Sequence, residues 1–215
     1  MKIAVLGTGM VGNAIATKLV QLGHEVKMGS RTAGNAKATE WVKAAGGKAS
    51  AGTFAEAAAF AELVFNCTAG AGSLEALEAA GKKNLAGKVL VDVSNPLDFS
   101  KGMPPSLTVC NTDSLAEQIQ RAFPEAKVVK ALNTTNASVM VDPSLIKGDH
   151  DIFVCGNDAA AKAQVTEILK GWFGWQHVVD LGDLTAARGQ EMFVIFWVRL
   201  YGALKSPMFN VHVAR

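Results

Sequence analysis

The stretch that decides the fold runs from Lys2 to Arg31 and reads KIAVLGTGMVGNAIATKLVQLGHEVKMGSR. The apolar run Ile3–Leu6 predicts a buried strand, and the apolar spacing of Val11–Leu22 predicts a helix. Between them lies the pattern G-x-G-x-x-G, and Glu25–Gly29 predicts a second strand. A glycine pattern alone is weak evidence, but one between a strand and a helix is a dinucleotide-binding fingerprint. We therefore predict a Rossmann-type unit that binds a dinucleotide.

Each glycine has its own physical role in such a loop. Gly7 permits a tight turn, Gly9 lets the backbone approach a pyrophosphate, and Gly12 lets the helix pack closely on the strand. The helix then directs its unpaired N–H groups at the phosphates. The alternative, a glycine-rich turn that binds nothing, is disfavoured by the flanking strand and helix. The loop residues predicted to bind cofactor are Gly7, Thr8, Gly9, Met10, Val11 and Gly12.

Ser30 and Arg31, at the end of the second predicted strand, distinguish between two cofactors. Enzymes that use NAD usually carry Asp or Glu about 20 residues after the glycines, where the carboxylate binds the ribose hydroxyls. Here Arg31 offers a guanidinium fork and Ser30 a hydroxyl, both suited to a 2′-phosphate, and Thr8 could add another hydroxyl. We therefore predict NADP(H) rather than NAD(H); the alternative for Arg31 is a solvated surface charge.

Composition excludes several classes of protein. The 215 residues are 49% hydrophobic and carry a net charge of +2 without a basic run, so we expect no nucleic-acid partner. Three cysteines without C-x-x-C spacing suit a reducing compartment, and the N-terminus does not resemble a signal peptide, so we expect a cytoplasmic location. The apolar run Met192–Leu204 is too short to span a bilayer, so we expect no membrane association.

Short apolar runs alternate with longer helical ones along the rest of the chain. This alternation predicts an α/β fold of the doubly wound Rossmann type, with a mainly parallel sheet. We expect residues 1–180 to form the NADP-binding domain and residues 181–215 a small C-terminal helical segment, together one globular unit. Further strands are predicted at Leu63–Asn66, Val89–Asp92, Lys127–Ala131, Ile152–Cys155 and His177–Asp180, and further helices at Ala36–Ala45, Phe54–Ala61, Gly72–Ala80, Leu115–Ala122, Ala159–Trp172 and Thr185–Leu204.

Small polar residues follow three successive predicted strands. Ligands of open α/β sheets bind at the carboxyl ends of the strands, so these residues are expected to outline a crevice for nicotinamide and a second ring. Each of them alone is more often a turn or cap residue. The residues predicted to bind cofactor at these strand ends are Thr68, Ala69, Ser94, Asn95, Pro96 and Asn133.

The residues near this crevice do not include a convincing acid or base. Lys130 is a candidate proton donor, although a structural salt bridge is the favoured interpretation, and Asn133 is a second candidate for a catalytic role. No metal-ligand spacing is evident, so we predict no metal. Because an alcohol dehydrogenase needs a positioned acid or base, the pattern favours hydride transfer to a redox-active ring.

Several later motifs, taken with the glycine loop, carry a family resemblance. They are Val91–Pro96 (VDVSNP), Val129–Thr134 (VKALNT), Phe153–Asp158 (FVCGND) and Asp180–Leu184 (DLGDL). The chain resembles the NADP-dependent, coenzyme F420-type oxidoreductases and the related reductase domain of the six-transmembrane metalloreductases. The resemblance implies that Ser30 and Arg31 bind the 2′-phosphate, and that Thr8, Met10 and Val11 lie along the pyrophosphate and nicotinamide. It also implies that Asn133 and the residues after it form a pocket where a deazaflavin or flavin stacks on nicotinamide.

The second substrate is therefore expected to be coenzyme F420, FMN or FAD. One alternative is an NADP-dependent dehydrogenase of the hydroxyacid or pyrroline-carboxylate type, with Lys130 as proton donor. Another is a non-catalytic module that senses NADP(H). The apolar Met192–Leu204 predicts either a core helix or a homodimer interface, and we favour the dimer.

Overall fold

The computed structural model describes residues 1–214, and within them eight strands form one sheet with helices packed on both faces. The strands are β1 (Lys2–Leu6), β2 (Glu25–Ser30), β3 (Ala49–Thr53), β4 (Leu63–Asn66), β5 (Val89–Asp92), β6 (Leu97–Asp98), β7 (Ser106–Leu107), β8 (Lys127–Ala131), β9 (Asp151–Gly156) and β10 (His177–Asp180). The helices are α1 (Met10–Gln21), α2 (Ala36–Ala45), α3 (Phe54–Phe60), α4 (Ser73–Ala80), α5 (Lys82–Leu85), α6 (Leu115–Ala122), α7 (Ala137–Val141), α8 (Ala159–Glu167) and α9 (Ala187–Leu204).

The sheet order is β10-β9-β8-β5-β4-β1-β2-β3, while β6 and β7 form a separate antiparallel pair. From β3 to β8 all neighbouring strands are parallel. β9 runs antiparallel to β8, and β10 runs parallel to β9. The mainly parallel, Rossmann-type sheet predicted from the sequence is confirmed. After β3 the chain crosses to the other side of β1, which creates the switch point where such sheets bind ligands.

Two apolar cores lie on opposite faces of the sheet, because successive side chains of a buried strand point in opposite directions. In β1, Ile3 and Val5 pack into one core, whereas Ala4 and Leu6 pack into the other. Because β1 is buried on both faces, the carboxyl end of this strand holds the glycine loop rigidly at the edge of the core.

Several elements differ from the sequence interpretation. β3 was not predicted because Ala49–Thr53 is half-exposed and lacks large apolar residues; it pairs with β2 through backbone hydrogen bonds at the edge of the sheet. The short helices α5 and α7 were also missed. The predicted helix Ala159–Trp172 ends as α8 at Glu167 and continues as a wider, π-helical turn over Ile168–Trp172.

The C-terminal tail (residues 205–214) returns from the end of α9 to the start of β9. The Asp151 N–H donates to the Val211 carbonyl at 2.8 Å, and the Val213 N–H donates to the Asp151 carboxylate at 2.6 Å. Asn210 Nδ2 also donates to the Asp151 carbonyl at 2.9 Å. These bonds fix the tail against the sheet. Among the residues that the structure describes, none of the helices combines the length and apolar character needed to cross a membrane.

Candidate functional site

The glycine loop has three different environments at its three glycines. Gly7 has a φ of +118°, a conformation that favours glycine, and a Cβ there would lie 2.5 Å from the Cys67 carbonyl oxygen. A Cβ at Gly12 would lie 2.1 Å from the Gly7 carbonyl oxygen. A Cβ at Gly9 would meet no atom within 4 Å. Gly7 and Gly12 therefore shape the turn, whereas Gly9 leaves open space beside the backbone.

That open space lies at the N-terminus of α1. Gly9 is the N-cap residue, it supplies no side-chain cap, and the first turn of α1 carries no acidic residue. The first backbone N–H groups of a helix without a cap attract an anion, because they are unpaired and lie at the positive end of the helix dipole. The loop therefore fits the pyrophosphate of a dinucleotide.

Ser30 and Arg31 differ in their exposure at the end of β2. The Ser30 side chain is 4% exposed, and its hydroxyl donates to the Thr32 carbonyl at 2.8 Å. Arg31 is exposed and forms no ion pair with the other residues described in the structure. Its side chain lines a small cleft with Phe54, Thr68 and Glu75. Arg31 therefore has a guanidinium free to bind an anion, whereas the Ser30 hydrogen is engaged within the turn.

A larger cleft, with a volume of about 890 Å³, lies over the carboxyl ends of the strands. Eight of the residues predicted to bind cofactor line it, namely Gly9, Met10, Val11, Thr68, Ala69, Ser94, Asn95 and Asn133. Thr8 lines a neighbouring open cleft with Lys37 and Trp41. Gly7, Gly12 and Pro96 shape the surrounding backbone without lining the large cleft. Residues from four separate segments of the sequence thus meet in one place.

Two hydroxyl groups in the cleft have their hydrogens directed into the protein. Thr68 Oγ1 donates to Asn66 Oδ1 at 2.7 Å, and Ser94 Oγ donates to Asp92 Oδ1 at 2.7 Å. Asn66 Nδ2 in turn donates to Asp92 Oδ1 at 2.8 Å. Because each hydroxyl hydrogen is engaged, the oxygens of Thr68 and Ser94 are acceptors toward the cleft.

Asn133 is held by two neighbours at the end of β8. Its Nδ2 donates to Asn95 Oδ1 at 2.9 Å and to the Gln190 carbonyl at 3.0 Å, while Asn95 Nδ2 donates to the Asn133 carbonyl at 2.9 Å. Leu132, directly before it, is fully buried and has a φ of +66°, which is strained for a branched residue. Asn133 Oδ1 has no hydrogen-bond partner among the described residues. The loop therefore fixes the orientation of this amide.

Lys130 does not reach the cleft. Its side chain is 0% exposed, and Nζ lies 2.8 Å from Asp92 Oδ2 and 2.8 Å from Glu191 Oε1. Nζ also donates to the Ser94 carbonyl. Burial lowers the pKa of Lys130, but the two carboxylates outweigh it and hold that pKa above its ordinary value. All three N–H bonds are engaged, so the structural interpretation of Lys130 fits this geometry and the proton-donor one does not.

The resemblance implied that the final helix lines this pocket or packs across a dimer, but the sequence interpretation did not name the residues of the wall opposite the strands. Trp197 and Tyr201 of α9 and Met208 of the tail line the cleft. Trp197 is stacked against two rings, with centroid distances of 5.7 Å to Tyr201 and 5.2 Å to Phe209. Only the aromatic content of Met192–Leu204 signalled this role, and the same signal was compatible with a core helix.

Among the described residues that line the cleft, the acidic one is Asp98 and none is histidine. Hydrogen bonds from the Ser100 N–H and hydroxyl hold the pKa of Asp98 below its ordinary value, so it stays a carboxylate at neutral pH. Residues 1–214 contain no group of three or more His, Cys, Asp or Glu side chains placed to hold a metal ion. The cleft therefore suits a reaction in which the protein positions two ligands.

Comparison with known proteins agrees with this geometry. The model of the family described as "NADP oxidoreductase coenzyme F420-dependent" matches residues 2–96. The F420-dependent NADP reductase of Methanocaldococcus jannaschii is 32% identical over 197 residues, which cover 87% of this chain and 86% of the relative. Metalloreductase STEAP3 of Rattus norvegicus is 31% identical over 207 residues, which cover 96% of this chain but 38% of the rat protein. The chain therefore spans less than half the length of that metalloreductase.

One solved structure is similar to this chain over its whole length. The crystal structure from Arthrobacter sp. FB24, provisionally described as an F420-dependent NADP-reductase, is 56% identical, covers 100% of both chains and has a TM-score of 0.94. A reductive aminase from Aspergillus terreus, with 22% identity and a TM-score of 0.66, shares the fold alone. Since the methanogen reductase is similar over most of both chains, this chain belongs to the family of coenzyme F420-dependent NADP oxidoreductases.

Proposed function

We propose that this protein transfers a hydride between NADP(H) and a deazaflavin of the coenzyme F420 type, with FMN or FAD as alternative acceptors. The observation that carries the proposal is the cleft of about 890 Å³, which joins the glycine loop to an aromatic wall. A planar ring fits between such walls, and a ring that accepts the electron pair itself needs no acid or base from the protein.

The glycine loop and the N-terminus of α1 would hold the pyrophosphate, and Arg31 would hold the 2′-phosphate, with Thr8 nearby. Ser30 supports this role through its bond to the Thr32 carbonyl, which shapes the turn that carries Arg31. When bound, the nicotinamide supplies or receives the hydride. Thr68 and Ser94 present acceptor oxygens at the strand ends, and an amide N–H₂ such as that of nicotinamide is a matching donor.

The acceptor side would be formed by α9 and the tail. Stacking on Tyr201 and Phe209 holds Trp197 in its place in the wall, so it can contact a flat ring without reorganisation. Asn133 cannot rotate freely, because Asn95 and Gln190 hold its amide. These residues would orient the acceptor ring, and the tail residues Pro207 and Met208 would exclude water from one side.

The test is anaerobic mixing of the protein with NADPH and, separately, coenzyme F420, FMN and FAD, followed by absorbance at about 340 nm, where reduced nicotinamide absorbs. We expect oxidation of NADPH with F420, and slower oxidation with NADH in its place. Binding of NADPH without turnover against any of the three acceptors would contradict the proposal and support a sensing module.

A matched pair of variants separates the acceptor side from the cofactor side. Trp197→Ala is expected to raise KM for the acceptor roughly three- to tenfold, the size of an aromatic stacking contact, with the Kd of NADPH unchanged. Trp172→Ala is the control, because Trp172 is not among the residues that line the cleft. Equal effects of the two substitutions would remove the aromatic wall from the proposal.

The dehydrogenase alternative loses its proton donor in this geometry, because Lys130 is buried and fully bonded.

We also propose a cytoplasmic location, which the three unpaired cysteines Cys67, Cys110 and Cys155 support. Fractionation of the source cells tests it, and recovery in an oxidising compartment would contradict it.

A further inference from the structure

Beneath the cleft lies a buried charge cluster formed by Asp92, Lys130 and Glu191. Their side chains are 0%, 0% and 1% exposed. Asp92 of β5 and Lys130 of β8 are register partners on neighbouring strands, and Asn66 of β4 is the partner of Asp92 on its other side. The cluster therefore lies at the carboxyl ends of the central strands, and Glu191 reaches it from α9.

The oxygens of both carboxylates accept a hydrogen bond or lie against the ammonium at every contact that the structure gives them. Asp92 accepts from Lys130 Nζ, the Ser94 N–H, Ser94 Oγ and Asn66 Nδ2. Glu191 accepts from Lys130 Nζ and from the backbone N–H groups of Leu115 and Ala116. With one ammonium between two carboxylates, the cluster carries a net charge of −1.

The two negative charges face different surroundings. Glu191 binds the first N–H groups of α6, so the positive end of that helix offsets its charge. Asp92 lies under the cleft, one hydrogen bond of 2.7 Å from the hydroxyl of Ser94, which lines it. Burial raises the pKa of the Cys67 thiol in the cleft wall, and the charge of Asp92 raises it further. Because the Ser94 hydroxyl that lines the cleft is bonded directly to Asp92, the field of Asp92 reaches the cleft.

We propose that Asp92 sets the redox preference of the bound cofactor by favouring NADP⁺, whose nicotinamide ring is positive, over NADPH, whose ring is neutral. This inference rests on the proposed function only in that NADP(H) binds over these strand ends. A carboxylate with its charge partly uncompensated stabilises a nearby cation more strongly than a neutral ring, and the low dielectric of the interior preserves the difference. Asp92 would act through this field without touching the reacting atoms.

Two double variants test the proposal with the same net charge in both. Lys130→Met with Glu191→Gln leaves one carboxylate at Asp92, whereas Lys130→Met with Asp92→Asn leaves one at Glu191. The Kd of NADP⁺ and the Kd of NADPH are measured by calorimetry for each. The first variant is expected to keep the wild-type ratio of the Kd of NADP⁺ to the Kd of NADPH. In the second, binding of NADP⁺ should weaken relative to NADPH by a factor of about two. This is the difference between a unit charge about 12 Å from the ring and one up to about 6 Å farther away, at an effective dielectric constant of about 20, since Lys130 Nζ lies 2.8 Å from each carboxylate.

A twofold change in that ratio corresponds to about 9 mV in the potential of a two-electron couple. Equal ratios in the two double variants would overturn the proposal. If thermal melts show that either double variant is unfolded, Asp92→Asn is compared with Asp92→Glu, which keeps the charge; equal ratios there overturn it too. Failure of the wild-type protein to bind NADP(H) would instead defeat the proposed function. Inactivity toward all acceptors with an altered ratio would leave the assignment of Asp92 standing.

Discussion

Gly9 and Gly12 have different roles in the glycine loop, and the difference gives the sharpest prediction for single residues. Gly12→Ala places a Cβ 2.1 Å from the Gly7 carbonyl oxygen, so it should lower the free energy of unfolding by about 1–3 kcal/mol and impair NADPH binding. Gly9→Ala meets no protein atom within 4 Å, so the melting temperature should barely change while NADPH binding is lost. Thermal melts and calorimetric titrations measure both effects. Normal NADPH affinity in Gly9→Ala would mean that no phosphate approaches this backbone.

Arg31 carries the cofactor preference. Arg31→Ala should weaken NADPH binding by about 1–3 kcal/mol, the cost of losing a charged hydrogen-bond partner, and leave NADH binding almost unchanged. Calorimetric titration with both nucleotides measures this. Arg121→Ala is the matched control. Arg121 of α6 is paired with Asp113, which lies just before that helix, and it lines none of the clefts that contain the glycine loop. Equal losses for NADPH and NADH in Arg31→Ala would defeat the assignment.

At the scale of residues, the sequence predicted which residues line the cleft better than it predicted the hydrogen bonds that they form. Eight predicted residues line one cleft, because glycine spacing and strand ends follow from local rules. The direction of the Ser30 hydroxyl did not follow, since it depends on the turn that presents the Thr32 carbonyl. Nor did the burial of Lys130, which depends on Glu191, 61 positions later in the chain.

At the scale of elements, α6 and α9 are joined by an ion pair between Glu117 and Arg188 that contains two hydrogen bonds. Arg188 Nε and Nη2 donate to the two Glu117 carboxylate oxygens at 2.9 Å and 2.6 Å. The Arg188 hydrogen bonds hold the pKa of Glu117 below its ordinary value of 4.5, although partial burial opposes them. A depressed carboxyl pKa contributes stability that is present above the unfolded-state value and is lost as the pH falls through the folded-state value.

Arg188→Met should therefore destabilise the protein at pH 7, with little difference from the wild-type protein at a pH below the folded-state pKa of Glu117. Urea unfolding at several pH values measures this. Lys82→Met is the control, since Lys82 and Glu78 form an exposed pair with side chains 60% and 52% accessible, and such pairs contribute little. A pH-independent effect of Arg188→Met would assign its role to packing instead.

The elements that the sequence missed leave only a weak local signal, for different physical reasons. β3 buries none of its residues fully, so its strand character comes from pairing with β2 and leaves no apolar signal in the sequence. α7 has only five residues, Ala137–Val141, and its N-terminus is capped by the Asn136 side chain. Periodicity over one turn cannot distinguish such a helix from a loop.

At the scale of the whole molecule, α9 presents an exposed apolar stripe. The stripe consists of Met192 and Phe196, which lie four residues apart on α9 and are 40% and 55% exposed. A stripe of this kind is typical of a subunit interface, and we propose that two copies of the chain associate through it. Phe196→Glu should convert a dimer into a monomer in light scattering. Leu145→Glu, at a residue 49% exposed outside the stripe, should leave the mass unchanged. A monomeric wild-type protein would contradict the proposal.

The arrangement of the sheet was predictable as far as local order goes. Alternating strands and helices predicted the Rossmann-type core, whose parallel crossovers follow a strong rule of handedness. The reversal at β9 was not predictable, because it depends on how residues 132–150 turn back beside β8, and apolar content alone does not report strand direction. The part of the cleft wall that the tail forms was not predictable for the same reason, since the tail contacts β9 only after that reversal.

The stacking of Trp197 against Tyr201 and Phe209 has a practical consequence. An indole in the wall of the cleft emits light in the range that reduced nicotinamide absorbs, so energy transfer should quench it when NADPH enters. The unlabelled protein thus contains its own optical sensor for occupancy. Stopped-flow recording of the tryptophan emission can follow entry and departure of each ligand in real time. Subtracting the signal of Trp197→Phe, which keeps Trp41, Trp172 and Trp175, isolates the part due to Trp197.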